Sequence, residues 1–271
     1  MKILIKNELD RAFKNKWFYI TLIVCLAIII YDMCSVVIPT RNALDTYVEA
    51  GGYPIPNIYN RWMELNNLSV ASKLLHFIFP LLVCIPYSMS IYTDVESGYI
   101  YNIILRIEKK KYFLAKLITQ FITGFAVVMS VMTVSFTLTA MLLSEGNPMP
   151  GLLYHYGALN IFGRIFYKCP LLTVFLMILL ESVLFGLISC LSYTFAYILK
   201  NGVMVLISAF TIYFFEEVVL PLLGINGSMM GCSFIYDLTY KNVGTLVIEI
   251  IILIAVIAGT YMLRIKKKDE I

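Results

Sequence analysis

The chain has 271 residues, of which 60% are hydrophobic and only 14% are charged. Soluble domains usually carry about 25% charged residues, so this composition excludes an ordinary soluble fold and indicates a membrane protein. The net charge of +4 is small, and the basic residues cluster at the ends of apolar stretches. That distribution is typical of membrane topology and excludes nucleic-acid binding.

Residues 1–16 predict a basic amphipathic helix that lies in the membrane interface. The apolar residues that recur at helical spacing are Ile5, Leu9, Ala12, Phe13 and Trp17. The residues on another face are Lys2, Lys6, Asp10 and Lys14. The alternative is a positively charged anchor that only sets topology. Both interpretations place this segment on the membrane surface, ahead of the first apolar stretch.

Six stretches of residues 17–271 are long and apolar enough to cross about 30 Å of hydrocarbon as helices. They predict an all-α, polytopic membrane protein with six transmembrane helices and the N-terminal amphipathic interfacial helix. No internal repeat or low-complexity linker divides residues 17–271, so they form one domain. The predicted spans are 17–38, 74–92, 117–143, 171–199, 202–223 and 245–263.

The Lys and Arg residues predict the orientation. Fifteen of the 21 fall within 2–16, within 106–116, at Lys200 and within 264–268, and six fall on the other side of the predicted membrane. The more basic loops of membrane proteins face the cytoplasm. Both termini and the loop 94–115 are therefore predicted to be cytoplasmic.

The loop 94–115 predicts a short cytoplasmic helix. Gly98 permits a sharp turn, and Tyr99, Ile103 and Arg106 then share one helical face. The rest of the chain offers no obvious surface to cover the apolar residues of this helix. A soluble partner is therefore predicted to bind it.

The order of these features resembles the permease subunits of ABC-2 type ATP-binding cassette exporters, over essentially the whole chain. In that family an acidic residue and a glycine follow the second span, and a coupling helix and a lysine precede the third. The matching positions here are Asp94 or Glu96, Gly98, 103–105, Lys110 or Lys111, and Lys116.

The resemblance implies a bacterial plasma-membrane homodimer with two separate ATPase subunits. It also implies export of an amphipathic or hydrophobic compound, such as a peptide antibiotic, a drug or a lipid-linked molecule. The sequence contains no phosphate-binding loop motif, so ATP and Mg²⁺ are expected in the partner, and no cofactor or catalytic residue is expected in this chain. The residues expected to couple it to the ATPase are Asp94, Glu96, Gly98, Tyr99, Ile103 and Arg106.

Polar residues inside the predicted membrane suggest a substrate path. A stripe of small and hydroxyl-bearing residues along the third span would either line a polar path or pack against another helix. Glu181 lies near the middle of the fourth span, where an ionisable group is either functional or a brace between helices. The stripe comprises Thr119, Thr123, Ala126, Ser130, Thr133 and Thr137, and the acidic residues predicted as solvated or paired at the outer rim are Asp32, Glu216, Glu217 and Glu249.

Two other functions remain open from the sequence. Glu216 and Glu217 resemble the paired glutamates of CAAX-type membrane proteases, although Pro221 stands where that family has arginine. A non-transporting sensor or assembly subunit is the other alternative. The two histidines, at positions 76 and 155, are each alone and show no H-x-x-x-N/D pattern, which also disfavours a protease. No metal site is predicted, because the six cysteines form no C-x-x-C pair and four of them lie inside apolar stretches. The sequence leaves open whether Cys169 and Cys232 form a disulfide.

Overall fold

A computed structural model describes residues 1–51, 55–66, 69–146, 148, 162–196, 199, 201–215 and 243–266. All regular secondary structure within these ranges is helical, which confirms the all-α prediction. Cys169 is a free thiol among the described residues, and its predicted partner Cys232 lies outside them. Other predictions that fall outside are those for Lys200, Glu216, Glu217, Pro221, His155 and most of the segment 226–244.

The described helices range in length from the four residues of Ile58–Arg61 and Gly163–Phe166 to the 34 residues of Lys109–Leu142. A π-helical turn, Met33–Val37, joins α2 to α3 without a break. The bounds are α1 Lys2–Phe13, α2 Lys16–Asp32, α3 Ile38–Asn42, α4 Leu44–Glu49, α5 Ile58–Arg61, α6 Val70–Leu82, α7 Ser90–Glu96, α8 Tyr99–Ile104, α9 Lys109–Leu142, α10 Gly163–Phe166, α11 Pro170–Phe195, α12 Gly202–Phe214 and α13 Val243–Lys266.

Within the described residues, three helices are long and apolar enough to cross a membrane, namely Lys16–Asn42, Lys109–Leu142 and Pro170–Phe195. Shorter apolar helices in this part of the chain cover Val70–Leu82, Gly202–Phe214 and Ile250–Leu263. Each of the six predicted spans thus overlaps an apolar helix, and three of the six overlap one that meets both the length and the hydropathy of a membrane span.

The second predicted span, 74–92, is interrupted. Helix α6 ends at Leu82, the chain turns through residues 83–89, and α7 begins at Ser90. Pro80 lies inside α6 and Pro86 lies in the turn. Proline lacks the backbone N–H that continues a helix, so two prolines six residues apart account for the break.

Helices α9 and α11 pack antiparallel along the centre of the fold. Near the start of α9, the hydroxyl of Tyr193 donates to the carbonyl of Phe113 at 3.3 Å. Further along, Ser189 Oγ donates to the carbonyl of Gln120 at 3.1 Å. The helices approach most closely at Gly124, where an added Cβ would lie 2.6 Å from Ser189 Oγ.

The segment 55–66 enters the core beside the end of α9. The backbone N–H of Ile58 donates to the carbonyl of Ser144 at 3.2 Å, and Tyr59 donates its hydroxyl to Glu145 at 2.7 Å. Trp62 is fully buried and packs edge-on against the ring of Phe136. This predicted outer segment is therefore partly a core element, and it carries Glu64 into the interior.

Candidate functional site

The carboxylate of Asp94 joins three helices, and we call the group around it the Asp94 cluster. Arg11 of α1 donates from Nη2 to Asp94 Oδ1 at 2.8 Å. Lys116 of α9 places Nζ 2.7 Å from Asp94 Oδ2, and Tyr112, one turn earlier, donates its hydroxyl to the same oxygen at 2.6 Å. A single carboxylate on α7 thus binds both α1 and α9.

Glu8 completes the Asp94 cluster. Lys116 Nζ lies 3.1 Å from Glu8 Oε2, and the hydroxyl of Tyr87 donates to the same carboxylate oxygen. Glu8, Asp94 and Lys116 are almost completely buried. Two acidic and two basic side chains balance, so the cluster is formally neutral, which is the condition under which buried charges are tolerated.

The surroundings of Asp94 hold it in the ionised form. Burial alone would raise the pKa of its carboxyl, but the hydrogen bond from Arg11 and the charge of Lys116 outweigh burial and lower the pKa. The same hydrogen bond raises the pKa of the Arg11 guanidinium, against the opposing effect of burial. The ion pair between Arg11 and Asp94 therefore persists across the physiological pH range.

Helix α1 forms where the sequence predicts it, and its burial extends from Ala12 of the predicted apolar face to Glu8 beside it. Glu8 and Ala12 are buried against the rest of the chain, whereas Ile5, Leu9 and Phe13 are only half-buried. The sequence analysis did not identify Glu8. An acidic residue on a basic amphipathic helix does not by itself indicate a partner more than 100 residues away.

The loop 94–115 contains the predicted turn and short helix. Gly98 adopts φ +69°, the left-handed conformation that glycine permits, and α8 follows at once. Ile100 is buried against Tyr112, Phe113 and Tyr193. The chain itself therefore covers Ile100, a contact that the sequence did not indicate, and the binding of a soluble partner to this helix stays a prediction.

The far end of α8 remains uncovered within the described chain. Leu105 is 86% exposed and Tyr101 is 48% exposed. Ile103, which the sequence analysis assigned to coupling, is half-buried and packs towards the chain's own interior. The exposed tip of the loop is therefore formed by Tyr101 and Leu105.

The structure separates the other predicted coupling residues. Asp94 is buried in the Asp94 cluster, whereas Glu96 and Arg106 are exposed. Tyr99 is exposed on one face and carries the guanidinium of Arg11 at 5.2 Å from its ring centroid. This cation–π contact connects α8 directly to α1.

The hydroxyl stripe of the third predicted span does not face one common surface. Thr119 and Thr123 are buried, Ser130 is half-buried, and Thr133 and Thr137 are exposed. The hydroxyls of Thr123, Ser130, Thr133 and Thr137 each donate to a carbonyl one turn back at 2.6–2.7 Å. The stripe therefore leaves the protein interior halfway along α9.

A groove of about 480 Å³ lies beside the Asp94 cluster. Trp17 and Leu206 contribute apolar walls, and Arg11 and Tyr87 of the cluster line it as well. Asn15 donates its side-chain amide to the carbonyl of Pro86 at 2.9 Å and so holds the start of α2 against the turn 83–89. The groove thus combines an apolar wall with a charged edge.

Glu181 has partners that the sequence did not indicate, and we call this group the His76 cluster. His76 Nε2 lies 2.9 Å from Glu181 Oε1 and 2.9 Å from Glu64 Oε2. The three side chains are between 0% and 4% exposed. They come from the segment after α5, from α6 and from α11, so the fold rather than the sequence order brings them together.

The start of α6 positions His76. Ser69 is the N-cap of α6, and its hydroxyl accepts from the N–H of Ser72 at 3.2 Å. The carbonyl of Ser72 lies 2.8 Å from Nδ1 of His76, which fixes the orientation of the ring. The hydroxyl of Ser69 also donates to Asp32, and Asp32 is completely buried rather than reaching solvent at the rim.

No protein-family model, curated protein or solved structure matches this chain.

Proposed function

We propose that the chain is the permease subunit of an ABC-2-like exporter. It would cross the bacterial plasma membrane six times with both termini in the cytoplasm, form a homodimer and bind a separate ATPase. The observation that carries this proposal is the Asp94 cluster, because it connects α7, which leads into the short helix α8, to α1 and to the start of the long apolar helix α9. Such an arrangement suits a chain that must pass movement from a soluble partner into a membrane domain.

The tip of α8 is the proposed ATPase contact. Leu105 and Tyr101 present apolar surface to solvent, while Ile100 anchors the same helix to α9 and α11. An exposed leucine on a firmly anchored helix is suited to insertion into a pocket of a partner. This assigns binding to Leu105 and leaves Ile103 as part of the anchor.

Coupling would follow from the Asp94 cluster. A displacement of α8 acts on α7 through the turn at Gly98, and Asp94 of α7 holds Arg11 of α1 and Lys116 of α9. A neutral, buried ion cluster is costly to pull apart, so the three helices should move as one body. Closure of the ATPase subunits would thereby bias the membrane domain between two states.

The substrate is proposed to be amphipathic or hydrophobic. The groove beside the Asp94 cluster pairs apolar walls with the guanidinium of Arg11, which suits an apolar compound with an acidic or polar group. Thr133 and Thr137 lie on the exposed side of α9, where a second copy of the chain would bring them into a shared path.

The proposal is tested by purifying the tagged protein in mild detergent from its own cell and identifying what accompanies it by mass spectrometry. We expect an ATPase with a phosphate-binding loop. Leu105→Asp should reduce its recovery at least tenfold, because the change places a charge in an apolar contact. Val48→Asp is the matched control, since Val48 is 49% exposed on α4, on the predicted outer side.

Retention of the ATPase by Leu105→Asp would remove α8 from the contact. Arrival of the wild-type chain without any ATPase under several mild conditions would contradict the permease function itself.

A further inference from the structure

In the His76 cluster, three hydrogen-bond acceptors face one another, namely Nε2 of neutral His76 and one carboxylate oxygen each of Glu64 and Glu181. A carbonyl oxygen can only accept, so Nδ1 of His76, 2.8 Å from the carbonyl of Ser72, must carry the proton. In the neutral imidazole, Nε2 then holds a lone pair. That lone pair is directed at Glu64 and Glu181, whose oxygens lie 2.9 Å away. Three acceptors at such distances require a proton or a metal ion between them.

The charge of the cluster points to a divalent cation. Glu64 and Glu181 are buried, and among the described residues no lysine or arginine forms an ion pair with either carboxylate. Their remaining oxygens, Oε1 of Glu64 and Oε2 of Glu181, have no hydrogen-bond donor in the described part of the chain. A proton on the imidazole would leave one negative charge uncompensated, whereas a divalent cation would neutralise both carboxylates.

We propose that His76, Glu64 and Glu181 bind a divalent transition-metal ion of the Zn²⁺ or Mn²⁺ type. The ligand atoms would be Nε2 of His76 and one carboxylate oxygen from each glutamate, and the three candidate atoms lie within 4.8 Å of one another. A mixed set of one imidazole and two carboxylates suits zinc and manganese better than copper(I), which prefers sulfur, or calcium, which prefers oxygen alone.

Two of the three ligand separations fit such an ion. Bonds of about 2.0–2.2 Å from metal to nitrogen or oxygen separate neighbouring ligand atoms by about 3.0 Å at right angles and about 3.4 Å in a tetrahedron. The observed separations of 2.9 Å from Nε2 to each carboxylate oxygen need only a few tenths of an ångström of expansion.

The support around the ligands is also that of a metal site. Metal-binding histidines usually donate their second ring N–H to a carbonyl or carboxylate, which fixes the tautomer. The carbonyl of Ser72 takes this role for His76. The ion would join the segment 62–66 to α6 and α11. This inference goes beyond the proposed transport function and does not depend on it.

The first experiment measures metal bound by the full-length chain purified in detergent. The protein is stripped with a chelator, incubated with Zn²⁺ or Mn²⁺, desalted and analysed by elemental mass spectrometry. We expect one ion per chain and an unfolding temperature that rises with free metal concentration, because the ion binds only the folded state. Glu181→Gln and Glu64→Gln should each weaken binding at least about 100-fold, more than the loss of a supporting contact would.

Asp32→Asn is the matched control. Asp32 is an equally buried carboxylate that accepts from Ser69, but it is not among the three proposed ligands. Its replacement should leave the metal content unchanged. Equal loss of metal in Asp32→Asn and Glu181→Gln would overturn the assignment of the ligands.

A spectroscopic measurement keeps the proposal testable if the glutamine variants fail to fold. Co²⁺ added to the stripped wild-type protein should give visible absorption bands of a nitrogen- and oxygen-ligated ion. His76→Cys retains a metal ligand but should add a near-ultraviolet sulfur-to-cobalt band. If wild-type protein binds neither Zn²⁺, Mn²⁺ nor Co²⁺ at micromolar concentrations, the cluster holds a proton instead and the metal proposal is overturned.

Discussion

Lys116 is the fully buried cation that compensates the carboxylates of the Asp94 cluster. Its ammonium is completely buried and lies close to both Asp94 and Glu8. Arg11, the other cation, is partly exposed and can exchange its contacts with water. Water can therefore compensate the loss of Arg11 better than the loss of Lys116.

Lys116→Met should destabilise the protein by about 3 kcal/mol or more, because it leaves two buried carboxylates with one cation between them. The measurement is the unfolding temperature in detergent. Lys111→Met is the matched control, since the ion pair that Lys111 forms among the described residues is with Glu108 at 2.9 Å, and both side chains are largely exposed. Equal unfolding temperatures for the two variants would contradict the cluster's role in stability.

At the residue scale the sequence identified important groups without their partners. Asp94 was identified through the resemblance to the ABC-2 permeases, and Glu181 because acidic groups are rare inside apolar spans. Arg11 and Asp94 are 83 residues apart, and His76 and Glu181 come from different helices. Local periodicity contains no information on such pairings. The available signal was that an ionisable group inside a membrane needs a partner, and His76 lies inside the predicted span 74–92.

The contact between α9 and α11 is the element-scale feature that positions both clusters. It relies on small residues, because Gly124 and Gly186 allow the two backbones to approach. The sequence predicted both helices from their length and hydropathy. It did not predict which of their faces meet, because neither helix has a dominant apolar side.

Gly124→Ala should destabilise the protein by about 1–3 kcal/mol, since the new Cβ would lie 2.6 Å from Ser189 Oγ and 2.9 Å from Ser189 Cβ. Gly259→Ala on α13 is the matched control, because no atom lies within 4 Å of its added Cβ. The unfolding temperature in detergent should be lowered by Gly124→Ala and not by Gly259→Ala. The reverse order would show that α9 and α11 do not pack through Gly124.

Gly98 and the prolines show why some element boundaries are readable and others are not. A glycine at φ +69° ends one helix and begins the next, as its sequence position suggested. Pro80 and Pro86 lie within a stretch whose hydropathy predicts a continuous span. Hydropathy does not take into account that proline lacks the backbone N–H donor of a helix. Prediction of the interruption in the second span therefore requires the backbone chemistry of proline in addition to the hydropathy of the segment.

At the scale of the whole molecule, the two clusters lie at different depths along α11. The thiol of Cys190 contacts the carbonyl of Leu117, next to Lys116, and Glu181 lies nine residues earlier on the same helix. At 1.5 Å per residue this places the clusters about 14 Å apart along the helix axis. With the proposed orientation, the Asp94 cluster lies at the cytoplasmic boundary and the His76 cluster near the middle of the membrane.

This arrangement requires an even number of crossings, with α1 and the C-terminal tail on the same side. Single added cysteines test it: Lys14→Cys and Lys268→Cys for the two cytoplasmic ends, and Glu49→Cys at the end of α4 for the outside. In intact cells, a membrane-impermeant maleimide should modify Glu49→Cys above the level of the parent chain. It should modify Lys14→Cys and Lys268→Cys only after the cells are lysed.

Each other outcome of the labelling has a distinct structural meaning. Labelling of Lys268→Cys but not Lys14→Cys in intact cells would mean an odd number of crossings. Since α6 and α12 are shorter than a full span, one of them would then fail to cross. Labelling of both termini from outside would mean that the protein has the opposite orientation in the membrane. It would place the exposed tip at Leu105 away from any cytoplasmic ATPase and thereby contradict the proposed function.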